Sequence, residues 1–61
     1  MTPPSIRVQN EELVGVRDVS RTLPSLIRRL ELGEQEKFVL MRHGKMVGVL
    51  LTFEAFEELV S

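Results

Sequence analysis

The chain has 61 residues, no cysteine, one histidine, a formal net charge of −1 and an apolar share of 43%. That is one domain at most; disulfides and thiolate metal sites are excluded, and no apolar run approaches the ~18 residues of a membrane span. A domain this small buries only about 60% of its unfolded surface, so with covalent and metal staples set aside its support is expected from a second copy of the chain.

Residues 1–12 read as a flexible N-terminal extension. Pro3 and Pro4 disfavour regular structure, Gln9 to Glu12 add no apolar period, and no signal-peptide core is visible. The domain itself is expected over residues 13–61. Leu13 to Val16 predict a short strand that needs a sheet to pair with, because Gly15 weakens it.

Arg17 to Leu32 predict a helix. Val19, Leu23, Leu26, Ile27 and Leu30 recur at helical spacing and form one apolar stripe. Asp18 suits the first turn, where the helix dipole favours an anion, and Gly33 suits the stop. Pro24 admits two readings. The helix could start there, with Thr22 or Leu23 at the cap, or it could run from Asp18 through a kink that costs about 3 kcal/mol. The second is preferred, since Pro24 lies opposite the apolar stripe and the freed carbonyl would face water.

Glu34 to Lys37 form a polar connection. Phe38 to Met41 and Met46 to Thr52 predict two strands, joined by the turn Arg42–His43–Gly44–Lys45. Both strands are almost continuously apolar, as strands covered on both faces are. One helix cannot cover both, so a partner chain is expected on the other. The residues assigned to core or dimer contact are Phe38, Leu40, Met41, Val47, Val49 and Leu51. Thr52 can cap a final short helix with Phe53, Phe56, Leu59 and Val60 on one side and Glu54, Glu57 and Glu58 on the other.

The charges are unevenly spread. Residues 17–30 carry Arg17, Arg21, Arg28 and Arg29 against Asp18 alone, and Arg42 and Lys45 flank His43 in the turn. The acids sit elsewhere, so a local positive patch is compatible with an acidic total. On a helical wheel Arg17, Arg21 and Arg28 fall within about 40° of one another, opposite the apolar stripe. Such a face can contact phosphates; it can equally be an ordinary solvated face, since arginine is a good helix former. The turn could bring Arg42 and Lys45 to a phosphate, or simply keep a sheet edge from aggregating.

No catalytic constellation is present. His43 has no ligand spacing around it and suits a left-handed turn position. Ser5, Ser20, Ser25 and Ser61 lie in no nucleophile motif, the glycines form no phosphate-binding loop, and no carboxylates converge as an acid/base pair. Phe38, Phe53 and Phe56 occupy apolar-period positions, so packing outweighs base stacking for them. Neither an enzyme nor a cofactor is expected.

In order and spacing the chain resembles the N-terminal domain of Phd/YefM-type antitoxins over roughly residues 13–60. The resembling text is Val14–Gly–Val–Arg–Asp–Val–Ser–Arg–Thr–Leu23, the helix end Leu30–Glu–Leu–Gly–Glu34, Phe38–Val–Leu–Met–Arg–His–Gly–Lys45, Val47–Gly–Val–Leu–Leu–Thr52 and Phe53–Glu–Ala–Phe–Glu–Glu–Leu59. The resemblance implies an α+β fold of strand, helix, β-hairpin and helix, with a small antiparallel sheet and an intertwined homodimer. It also implies a cytoplasmic antitoxin that represses its own operon through double-stranded operator DNA. By family position Arg17, Ser20, Arg21 and Arg42 would face DNA, and His43 and Lys45 more loosely; Arg28 joins them from the helix stripe. A cognate toxin would be neutralised by a tail beyond the second helix, which is missing after Ser61. The competing expectation is a dimeric protein-interaction module that touches no DNA. A swapped-hairpin dimer is disfavoured by the long first helix.

Overall fold

The apolar stripe of the first helix, the hairpin and the final helix all form. The computed structural model describes residues 7–61, and the first half of the expected extension, residues 1–6, lies outside the described residues. A 3-10 turn at Asn10–Glu12 leads into strand β1 (Leu13–Gly15), helix α1 (Val16–Glu31), strands β2 (Phe38–Arg42) and β3 (Lys45–Leu50), and helix α2 (Phe53–Val60). The architecture is a small α+β domain around a three-stranded sheet of order β1-β2-β3.

The sheet is mixed, not antiparallel as expected. β1 pairs parallel with β2, Leu13 opposite Val39 and Gly15 opposite Met41. The reason is the connection: α1 carries the chain back to the edge from which β1 started, so β2 sets out in the same direction. Only β2 and β3 are antiparallel, from Phe38 opposite Leu50 to Arg42 opposite Lys45. Their register shifts between Leu40 and Met41, because Leu40 faces Gly48 while Met41 faces Met46. Val47 is the extra residue of this bulge.

Helix α1 runs unbroken through Pro24, which is exposed on its outer face. Its C-terminus closes as anticipated at Gly33, whose φ is 78°. The Gly33 N–H donates to the Leu30 carbonyl at 3.1 Å and the Glu34 N–H to the Arg29 carbonyl at 3.0 Å. These are the paired bonds of a Schellman stop. The hairpin turn has His43 at φ 51° and Gly44 at φ 75°, the left-handed pair that a tight two-residue hairpin requires.

Leu26 and Leu30 of α1 pack on Phe38, with Val14 and Leu50 against them. Phe38 is completely buried. Strand side chains alternate between faces, so Val14, Phe38 and Leu50 lie under α1. Leu13, Val39 and Val49, a row across the sheet in register, lie on the other face. Val39 is buried there, whereas Leu13 and Val49 are exposed. Of the residues assigned to core or dimer contact, Phe38 is buried, Leu40, Met41 and Leu51 are half-buried, and Val47 and Val49 are exposed. Within one protomer β3 is therefore not covered on both faces, because α1 covers one side of the sheet only.

Helix α2 starts at Thr52, whose Oγ1 accepts the Ala55 N–H at 3.1 Å. No α2 residue is buried; Phe53 and Leu59 are 73% and 76% exposed. The Cα radius of gyration is 12.1 Å, against about 10 to 11 Å for a compact chain of this size. Among the described residues no helix is long and apolar enough to cross a membrane.

The end of the expected extension is built into the fold. The Glu12 side chain is buried and lies 3.1 Å from Lys37 Nζ. That pairing is the physical reason why Asn10–Glu12 is ordered despite having no apolar period.

Candidate nucleic-acid interface

Local rules place each basic residue, and the sheet brings them together. Gly15, the last residue of β1, lies in register with Met41. Helix α1 begins one residue later, at Val16, and the strand β2 ends one residue later, at Arg42. Parallel neighbours stand about 4.8 Å apart. The first turns of α1, with Arg17, Ser20 and Arg21, and the hairpin turn, with Arg42, His43 and Lys45, therefore share one end of the sheet. All six are exposed.

The same topology sends the acids to the opposite end. Glu11 and Glu12 precede β1, Glu31 ends α1, Glu34 and Glu36 stand between α1 and β2, and Glu54 follows β3. The molecule has a basic pole and an acidic pole although its net charge is −1. Asp18 is the one carboxylate at the basic pole, on the first turn of α1.

Arg28 departs from the expected set. It shares the outer face of α1 but lies eleven positions beyond Arg17, roughly 16 Å along the axis. With Arg29 it stands in the last turn, where cations favour the helix dipole. Arg29 is held over the Phe38 ring, 5.3 Å from its centroid, a packing role.

Arg21 Nη2 donates to Asp18 Oδ1 at 2.7 Å, with both side chains largely exposed. Exposed pairs of this kind contribute about 0 to 1 kcal/mol, so the contact orients the guanidinium more than it stabilises the fold. Among the described residues no ion pair engages Arg17, Arg42 or Lys45. The backbone adds to this pole: the first N–H groups of α1 carry the positive end of the helix dipole, and Gly15 at the cap has no side chain to occupy them.

The other ionic feature lies at the far end. Lys37 Nζ donates to the Arg7 carbonyl at 2.7 Å and to both Glu12 oxygens at 3.1 and 3.3 Å. The Gln9 N–H donates to Glu12 Oε1 at 2.8 Å. The Gln9 N–H first, then Lys37, hold the Glu12 carboxyl below the usual carboxylate range against the opposing pull of burial. Sequence reading missed this pair: its partners are twenty-five positions apart, and nothing local connects them.

Among the described residues, no group of histidine and carboxylate side chains could hold a metal ion. Two of the described clefts flank α2, a third of about 370 Å³ lies beside Gln9, Glu12 and Lys37, and none of the three is lined by a residue of the basic pole. One of about 580 Å³ runs between Ile27 and Phe53, and one of about 760 Å³ lies beside Val49, Leu51, Ala55 and Leu59. What the basic pole can do chemically is present several cations and free backbone donors to a polyanion. No family model, curated protein or solved structure matches this chain.

Proposed function

We propose that this chain is the DNA-binding and dimerising domain of an antitoxin, acting in the cytoplasm as an autorepressor at double-stranded operator DNA. The observation that carries the DNA part is the meeting of Arg17, Ser20 and Arg21 with Arg42, His43 and Lys45 at one end of the sheet, where Asp18 is the one acid. Exposed guanidiniums and an ammonium on a rigid platform suit phosphate contact. A helix whose N-terminal turns lead is a common way to approach bases. The antitoxin assignment and autorepression come from the resemblance of residues 13–60.

A homodimer is supported by the apolar surface left open on one protomer. Leu13, Met46, Val47, Val49, Phe53, Phe56, Leu59 and Val60 are all exposed, and a two-fold partner would double the basic pole and read a palindrome. The test is fluorescence anisotropy of a labelled duplex from upstream of the coding frame. Wild type and Arg42→Ala are titrated over several salt concentrations. Binding that falls with salt, with a slope reduced by about one in the variant, is the expected result. No binding at low salt would sink the DNA reading.

One observation favours a second reading, a protein-interaction module that binds a toxin or another protein without DNA. Helix α2 sets exposed Phe53, Phe56 and Leu59 beside Glu54, Glu57 and Glu58, a surface that could seat a foreign chain as well as a second copy. Arg17→Glu separates the two: it should abolish DNA binding and leave protein contact intact.

A further inference from the structure

The cations of the basic pole are not equivalent. Arg21 is held: its Nη2 lies 2.7 Å from Asp18 Oδ1, one turn back on α1. Arg17, Arg42 and Lys45 engage in no ion pair among the described residues. Asp18 in turn leans back over the strand–helix junction, its Oδ2 lying 3.5 Å from the place where a side chain on Gly15 would begin. In this contact the guanidinium, 77% exposed, lies toward the base of the helix.

Tethering suits one kind of ligand better than another. A guanidinium has five N–H donors, and the Asp18 contact occupies one of them. The remaining donors still offer a parallel pair, the arrangement that meets O6 and N7 of guanine in the major groove. A phosphate can take a parallel pair of donors as well, but the Asp18 carboxylate repels its charge, whereas the edge of guanine is neutral. Unheld cations supply the salt-dependent grip on the backbone. A held one suits a base edge.

We propose that Asp18 and Arg21 form a base-reading pair, in which Asp18 is a positioning residue that directs Arg21 at a guanine and penalises binding through phosphates alone. This rests on the DNA-binding reading above and adds sequence discrimination to it. Asp18 also stabilises the first turn of α1 by its charge. That structural role predicts a lower melting temperature on substitution but no change in base preference.

The experiment is selection from a randomised duplex pool by wild type, Asp18→Asn and Arg21→Lys as full chains, followed by anisotropy on selected and scrambled duplexes at one salt concentration. Thermal melting confirms that each variant is folded. Wild type should prefer guanine at one half-site position. Both variants should lose at least about fivefold of that preference, while Asp18→Asn binds the scrambled duplex as tightly as wild type or tighter. An unchanged preference in either folded variant overturns the pair, as does a wild type that binds duplexes with no base preference. A wild type that binds no duplex overturns the pair and the DNA-binding reading together, whereas altered salt-dependent binding with intact preference overturns the pair alone.

Discussion

Lys37 holds Glu12 across twenty-five positions of sequence, its Nζ 3.1 Å from one carboxylate oxygen and 2.7 Å from the carbonyl of Arg7. The contact joins the turn before β1 to the residue before β2. It fixes the starting edge of two parallel strands, and the register of those strands sets the basic pole at their other end.

The pair makes stability depend on acid. The folded-state carboxyl of Glu12 lies below its ordinary value of 4.5. Its contribution is therefore fully present above that value and is lost as pH falls through the lower, folded-state value. Glu12→Gln should lower the melting temperature at neutral pH and flatten its decline below pH 4.5. Thermal melts from pH 3 to pH 7 read this directly; parallel curves for variant and wild type would show that the pair has no such role.

Among the described residues Phe38 is the large side chain completely enclosed by the protomer, beneath Leu26 and Leu30. Truncating a buried phenylalanine costs about 3 to 5 kcal/mol, close to the whole stability of a domain this small. Phe38→Ala should be largely unfolded at 37 °C by circular dichroism. Phe53→Ala, at a position 73% exposed, should keep the secondary structure of the wild type. A folded Phe38→Ala would place the core elsewhere.

The hairpin turn depends on Gly44, whose φ of 75° is strained for any residue with a side chain. No atom lies within 4 Å of an added Cβ, so Gly44→Ala meets no clash and the cost is conformational, about 1 kcal/mol. Chemical denaturation should show a loss of that size with an unchanged slope. A loss several times larger would mean that the turn is packed against something further.

Helix α2 tests the proposed dimer. Phe56 and Leu59 are 50% and 76% exposed, so replacing both with glutamate removes no intramolecular core. Under the dimer reading the double variant should scatter light as a monomer at micromolar concentration while wild type scatters as a dimer. Equal masses for the two would exclude α2 from the interface.

The elements were legible in the sequence wherever the signal is local. The stripe from Val19 to Leu30, the stop at Gly33, the His43–Gly44 turn and the Thr52 cap each follow from side-chain period or backbone conformation within a few residues. Direction and long-range pairing were not legible. Whether β1 runs with or against β2 depends on how α1 crosses the sheet, and no residue of Leu13–Gly15 encodes that. The burial of Glu12 depends on Lys37, which an apolar pattern cannot report. The candidate site was legible as a set of residues but not as a place. The helical wheel groups Arg28 with Arg17 and Arg21 because it ignores distance along the axis, whereas the sheet register selects Arg42 and Lys45 as their neighbours.

The separation of charge also governs how copies of the protein meet one another. A chain with a positive end and a negative end attracts its own kind end to end, and a head-to-tail contact need not close on itself. At low ionic strength such contacts are expected to add chain to chain; at physiological salt charges are screened within about 8 Å and the attraction is expected to fade. Dilute buffers should therefore produce turbidity that clears on adding salt, the reverse of salting out, and the net charge of −1 is a poor guide to the conditions under which the protein stays dispersed.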